Sequence, residues 1–327
     1  MRPIPVVTAI CVGALAFVTN ASPARADYRP SEAGYDYGEI ANPRALAMGG
    51  AVRALGWSTS SILFNPANIV IQRVYHAELL GTIEPAFGRL DYGGGVVDSI
   101  TNRIGGGFYV LNSQLGTGSD AFQRQRVDTR VAVAYPVSDK IALGLTGRWL
   151  QVTQNGYGPL GPSPVSMSSA NSRIDIYTAD AGITFTPVES VRIALVAYNP
   201  FALGTALAPM MFGAGFGYTQ GPFAIEADGV LVDQTTWGAW KMRAQLGAEY
   251  FFGDAVPVRL GYNYDDGSQR HSISGGAGYV SKTFAIDGGV RVEVASPSNS
   301  WAHGVTASVS LRLFLESYFN NETAPQM

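Results

Sequence analysis

Charge is scarce in this chain. Asp, Glu, Lys and Arg together make up only 14% of 327 residues, against roughly 25% in ordinary soluble domains. The balance is slightly acidic, 25 Asp+Glu against 22 Lys+Arg. A nucleic-acid-binding surface needs the opposite balance and is not expected. Cysteine is almost absent: Cys11 is the only one. Past that position no disulfide, thiolate nucleophile or cysteine-based metal site can be built. Histidine is nearly as rare, with His76, His271 and His303 far apart and outside any carboxylate cluster. No G-x-S-x-G, P-loop or H-E-x-x-H occurs, so neither catalysis nor a cofactor is expected. Ser272 beside His271 points to the other face of its strand and makes no dyad. Asp265-Asp266-Gly267 reads as a hairpin turn, because the further acids of a calcium loop are missing.

A long apolar run is also missing, apart from Ile4 to Val18 near the start. That run is too short for a membrane-spanning helix of about 20 residues. It follows Arg2 and precedes Ala24-Arg25-Ala26, the pattern of a secretory signal with an A-x-A cleavage site. Residues 1–26 are therefore read as a signal peptide, and Cys11 leaves with it. Ile10, in place of a small residue before Cys11, speaks against a lipid anchor.

What is plentiful is glycine, with 39 residues, and a two-residue rhythm of apolar side chains. In residues 305–315, Val305, Ala307, Val309, Leu311 and Leu313 share one face. Thr306, Ser308, Ser310 and Arg312 share the other. Period two means a strand. The same rhythm places fourteen strands near 73–83, 87–97, 103–112, 126–136, 140–152, 174–186, 190–199, 209–219, 222–232, 240–252, 257–265, 270–280, 282–294 and 302–316. Many run ten residues or more, longer than soluble strands and long enough to cross a bilayer. Lipid forbids open sheet edges, so the strands must close. The prediction is an all-β, membrane-spanning antiparallel barrel over 73–319, with a short tail at 320–327. Apolar side chains face lipid, and Arg, Asp and Glu of both signs face an ion-paired lumen. Connections after even-numbered strands are short, and several after odd-numbered ones are long, as in outer-membrane barrels with short periplasmic turns. Trp149, Tyr198, Trp237, Trp240, Trp301 and Phe319 near strand ends would form the interfacial belt.

Residues 27–72 do not alternate. Ala45 to Leu55 is a run of small and apolar residues, fit for close packing. A barrel of fourteen strands is wide enough to need filling. This segment is read as a part-helical plug. Pro66 pushes Asn65 toward an extended backbone, and Asn65 can bond its neighbours, so Asn65-Pro66-Ala67 would steer the chain from plug to wall. Glycine triplets at Gly93–Gly95 and Gly105–Gly107, with Gly213, Gly215 and Gly217 further on, either thin the wall or make room for the plug. A bulge is expected near Gly105, Gly106 and Gly107.

Asn42-Pro43-Arg44-Ala45-Leu46-Ala47-Met48-Gly49-Gly50-Ala51, followed by Leu63-Phe64-Asn65-Pro66-Ala67, resembles the opening of the FadL-like outer-membrane superfamily. That superfamily includes fatty-acid and hydrophobic-compound transporters and the shorter PorV-type barrels. This chain carries Gly56-Trp57-Ser58-Thr59 where acidic residues are usual, and Asn68-Ile69 where Gly-Leu is usual. Its length is nearer the PorV-type branch. The resemblance implies a Gram-negative outer membrane, a plug or gate at Arg44, Met48, Gly49, Gly50, Asn65, Pro66 and Ala67, and a lateral opening in the third strand at Gly105, Gly106 and Gly107. Two functions stay open: passive transport of a hydrophobic ligand, or a scaffold role beside envelope-machine proteins in secretion, polysaccharide export or motility. Outer-membrane lipids are partners in both. A continuous apolar tunnel would favour the first, and a charge-packed lumen the second.

Overall fold

In the computed structural model the described residues are 42–85, 88–115, 122–156, 172–201, 207–234, 239–295 and 304–315. The signal segment, Trp237, Trp301, His303, Phe319 and the tail lie outside them. Fourteen antiparallel strands close into one barrel. They are β1 (Tyr75–Glu84), β2 (Arg89–Asp98), β3 (Gly105–Leu115), β4 (Phe122–Ser138), β5 (Ile141–Gly156), β6 (Ser172–Val188), β7 (Val191–Tyr198), β8 (Met211–Gln220), β9 (Phe223–Gln234), β10 (Ala239–Phe252), β11 (Val256–Asp265), β12 (Arg270–Val280), β13 (Phe284–Ala295) and β14 (Val305–Phe314). The seam is a regular β1–β14 ladder from His76↔Phe314 to Ile83↔Ala307. Closure leaves no edge in lipid, which is the only way a sheet can span a membrane.

Along most of the wall large apolar residues point outward, and polar, charged or small residues point inward. Leu79, Leu145, Leu195, Phe216, Leu246 and Leu260 are exposed on the wall, while Glu78, Arg148, Asp228, Arg243, Arg259 and Arg312 are buried inside. The parity of connections holds. Turns after even-numbered strands are short, as in Asp139–Lys140 and Glu189–Ser190, and mark the periplasmic rim. Trp149 and Trp240 face outward, and Trp149 stacks on Tyr177 with ring centroids 6.2 Å apart. Tyr198 does not join that belt. It sits at an inward position of β7, buried, and its hydroxyl donates to the Phe64 carbonyl at 2.5 Å. A strand-end position alone did not reveal which face the ring takes.

The segment before β1 lies in the periplasmic half of the lumen. It comprises helix α1 (Pro43–Ala47), helix α2 (Thr59–Phe64) and a 3-10 turn at Pro66–Val70. All three are buried. Asn42 caps α1 by accepting from the Ala45 N–H at 2.8 Å, and Pro43 opens the helix where no N–H is needed. Gly49 and Gly50 have φ of +66° and +90°, a left-handed turn that side chains resist. The chain therefore reverses after one and a half helical turns and stays inside the barrel.

Candidate functional site: a plugged lumen with a divided outer chamber

The plug is gripped through its backbone. The N–H groups of Val52 and Arg53 both donate to Asp228 Oδ2 at 3.0 Å. Those of Ala54 and Leu55 donate to Glu226 Oε1 and Oε2, at 2.5 and 3.0 Å. Glu226 and Asp228 are two residues apart on β9, so both point inward. They satisfy four consecutive donors that would otherwise be buried without partners. Arg53 adds its guanidinium to Asp228 at 3.1 Å and to Gln245 Oε1 at 2.6 Å. Arg44 pairs with Glu249 through Nη2 at 3.0 Å and donates to the Leu55 carbonyl at 3.1 Å.

Asn65, Pro66 and Ala67 sit where the plug meets β5 and β6. Asn65 is extended, at φ −158° and ψ 100°, as a residue before proline should be. Its Oδ1 accepts from the Ala67 N–H at 3.1 Å. Its Nδ2 donates to the Arg53 carbonyl at 2.8 Å and to Thr184 Oγ1 at 2.9 Å. The box thus ties the two halves of the plug to each other and to the wall.

Lumen charges form networks rather than a ring of one sign. Asp128 accepts from Arg126, Arg130 and Arg148, with its closest contacts at 3.0, 3.1 and 2.6 Å, and all four are buried. A second chain runs Arg44–Glu249–Arg259–Asp287–Arg312 across β10, β11, β13 and β14. Removing a central partner from such a network leaves uncompensated buried charge, at about 3–5 kcal/mol. Asp128→Ala should therefore markedly lower the temperature at which the barrel loses its compact gel mobility. Arg173→Ala, which breaks the exposed pair with Asp175 at 2.9 Å, should leave it nearly unchanged. Equal shifts in the two variants would mean that the lumen network does not carry stability.

His76, at the start of β1, finds its partner in the plug, and no motif in the sequence marks the pair. Ser58 Oγ lies 2.8 Å from His76 Nδ1, and Trp57 and Phe314 flank the ring. Ser58 and His76 are 1% and 2% exposed. No substrate reaches this pair, so it fastens the plug to β1. Thr59 Oγ1 does the same by donating to Glu78.

Glycines on the inner wall are where the plug touches. A side chain at Gly107 would meet Ile62, one at Gly247 would meet Met48, and one at Gly217 would meet Leu55. At Gly144 and Gly261 the nearest plug atoms are backbone, 2.3 and 2.1 Å from the position of a Cβ. The bulge expected at Gly105–Gly107 is overturned. Gly106 pairs with Asp98 and Val133, Gly107 with Val97 and Ala132, and neither ladder slips. The physical reason is packing: Gly105 and Gly107 are bare to admit Ile69, Val70 and Ile62. Register shifts occur instead at Pro136/Ser138, Phe185/Val188 and His271/Ser272.

Above the plug, the outer half of the lumen has two unlike walls. From β5 to β9 the inward positions are apolar: Leu150, Val152, Ile174 and Ile176, then Val196, Met211, Val230 and Val232, with Leu207 and Ala208 folded over them. From β10 round to β2 they are charged or polar. There a cavity of about 60 Å³ is lined by Glu84, Arg89, Asp91, Arg243, Asp265, Arg270, Arg291 and Glu293. Arg243–Asp265 at 3.0 Å, Arg270–Glu293 at 3.1 Å and Arg89–Asp91 at 3.1 Å balance that wall. The lumen is thus neither a continuous apolar tunnel nor charged throughout.

A closed fourteen-stranded barrel with an apolar outer belt, short turns at one rim and a helical plug defines a membrane barrel of the outer-membrane type. Its solved counterparts narrow the class. The chain is similar to the CymD monoaromatic hydrocarbon channel, with TM-score 0.61 and 14% identity over 84% of this chain and 97% of that one. It is similar to a Pseudomonas aeruginosa FadL homologue, with TM-score 0.62 and 11% identity over 84% and 98%. It is also similar to the Pseudomonas putida toluene transporter TodX, with TM-score 0.57 and 9% identity over 84% and 97%. No family model matches the sequence, and no curated protein does. The chain has the FadL-like barrel fold.

Proposed function

We propose that this barrel passively takes up small hydrophobic molecules across a Gram-negative outer membrane. The carrying observation is the apolar wall of the outer chamber, built from inward positions of β5 to β9. Across the chamber, from β10 round to β2, the inward positions are charged or polar instead. An apolar molecule leaving water for that wall gains about 25 cal/mol per Å² of surface buried. The names of the structural counterparts, a monoaromatic hydrocarbon channel and a toluene transporter, support the same class of cargo. In this reading residues 1–26 direct export and 27–72 form the gate. Arg44, Met48, Gly49 and Gly50 lock it against β10 and β11, and Asn65, Pro66 and Ala67 lock it against β5 and β6. Passage requires the gate to shift, with β3 held in a regular ladder at Gly105–Gly107 while the gate is shut.

The test is uptake of radiolabelled toluene by cells carrying the protein or its Val152→Glu, Ile176→Glu double variant. The variant places two acids on the apolar wall and should reduce uptake at least about tenfold, a barrier change of roughly 1.4 kcal/mol or more. Equal uptake by a folded double variant would sink the transport reading.

A second reading, a scaffold in an envelope machine, is favoured by the ion-paired inner half of the lumen. Native mass spectrometry on gently extracted protein separates the two. A retained apolar ligand of defined mass supports uptake, whereas a stoichiometric partner with an empty barrel supports the scaffold.

A further inference from the structure

The barrel rim is not level. Strands β4, β5 and β6 have 17, 16 and 17 residues, whereas β7 has 8. β6 is paired with β5 as far as Ser172. With β7 it pairs only from Asp180, opposite Tyr198. From Ser172 to Ala179, therefore, β6 has a neighbour on one side and no strand on the other among the described residues. The Asn199 N–H donates to the Ala179 carbonyl at 3.1 Å, so Ala179 directs its backbone groups to the open side. Period two then directs the N–H and C=O of Tyr177, Asp175 and Arg173 the same way.

This edge stands in water. The stacked rings of Trp149 and Tyr177 are the side chains that mark a membrane interface. Beyond them the outward positions turn polar, with Gln151, Asp175 and Arg173. An open edge below that level would be forbidden by lipid. Above it, an open edge is a template for another strand. Proteins usually blunt such edges with proline, a bulge, a very short strand or charged side chains. None of the first three occurs between Ser172 and Ala179. The two charges present, Arg173 and Asp175, pair with each other at 2.9 Å. The residues Ile174, Ile176, Tyr177 and Thr178 are strong strand formers.

We propose that the open edge of β6 receives an extended segment of a partner protein as an added strand, outside the membrane. Recognition by a sheet edge draws affinity from backbone hydrogen bonds and selectivity from alternate side chains. One face of the incoming segment would lie beside Ile174 and Ile176, the other beside the Arg173–Asp175 pair. The partner segment therefore alternates apolar and polar residues and carries little net charge. A second copy of this chain does not fit. Two copies the same way up in one membrane would present these edges parallel at equal height, with donors facing donors. The inference stands apart from uptake through the lumen.

The experiment places the photo-crosslinker p-benzoyl-phenylalanine at Arg173 or Tyr177 in the full-length protein in its own outer membrane. The expected result is one adduct from both positions, mapping to residues of a single extended segment in one partner. Asp175→Pro removes an N–H on the open side and no bond to β5. It should cut the adduct at least tenfold, while Asp175→Ala keeps it. Folding of each variant is checked by heat-modifiable gel mobility. If the proline variant does not fold, amide exchange in the unaltered protein decides. The Arg173, Asp175 and Tyr177 amides should exchange at least tenfold more slowly in native membranes than in the purified barrel. Adducts only to lipopolysaccharide or to this chain itself, no adduct, an adduct indifferent to Asp175→Pro, or equal exchange rates would each overturn the proposal.

Discussion

Cells carrying this barrel without residues 27–72 are expected to leak small polar solutes at least about tenfold faster than cells with the whole protein, because an unfilled barrel of this strand number holds a water channel. The argument is geometric. Helix α1, helix α2 and the turn at Pro66–Val70 occupy the periplasmic half of the lumen and are buried on all sides. A milder change should act in the same direction. Glu226→Ala with Asp228→Ala leaves the N–H groups of Val52, Arg53, Ala54 and Leu55 without their acceptors. Each buried orphan costs about 1–3 kcal/mol, so several together rival the whole stability of a small domain. The double variant should show intermittent ion conductance in planar bilayers and become cleavable by trypsin at Arg53. Leakage unchanged by the deletion, in a barrel that still folds, would reject the plug.

The second large effect is expected at glycines that face the plug. A Cβ on Gly144 would lie 2.3 Å from the Ala67 nitrogen, and one on Gly261 would lie 2.1 Å from the Gly49 nitrogen. The clashing atoms are backbone held at both ends, so they cannot swing aside as a long side chain would. Overpacking of this kind costs about 1–3 kcal/mol or more. Gly144→Val and Gly261→Val should each either block assembly or displace the plug and raise leakage. Gly147 and Gly229 face outward, with nothing nearer than 3.9 Å and nothing within 4 Å respectively. Valine there should change stability by no more than about 0.5 kcal/mol. Loss of the heat-modifiable form in all four variants alike would mean that the inner glycines serve the strands and not the plug.

The wall was readable from sequence because lipid outside and charge inside impose period two on every strand. All fourteen strands lie where the alternation places them. The outer ends of β4, β5 and β6 were missed, since the expected limits 126–136, 140–152 and 174–186 stop short of the observed strands. Beyond the bilayer both faces can be polar, as around Gln125 and Gln151, and the contrast that marks a strand fades. In the glycine triplet of β3 the expected bulge is absent, whereas the room for the plug that the sequence also offered is there. A bare position records that something approaches but not what, and the approaching groups, Ile62, Ile69 and Val70, lie 35 or more positions earlier. The ion-paired character of the lumen was legible from inward Arg, Asp and Glu of both signs. The particular grip of Glu226 and Asp228 was not, because its other half is main chain, which carries no letter.

The barrel is a closed ring, and its plug lies inside it. Arg44 meets Glu249 across 205 positions, and the Val52 N–H meets Asp228 across 176. The seam joins the first strand to the last, with His76 opposite Phe314. The earliest part of the wall to be synthesised must therefore wait for the latest, with the plug already drawn in. Once the seam is zipped, a bulky folded element cannot be threaded through a rim narrowed by its own turns. Assembly of this protein is then a matter of order: wrapping around a pre-positioned segment succeeds, and adding the same segment to a finished ring does not.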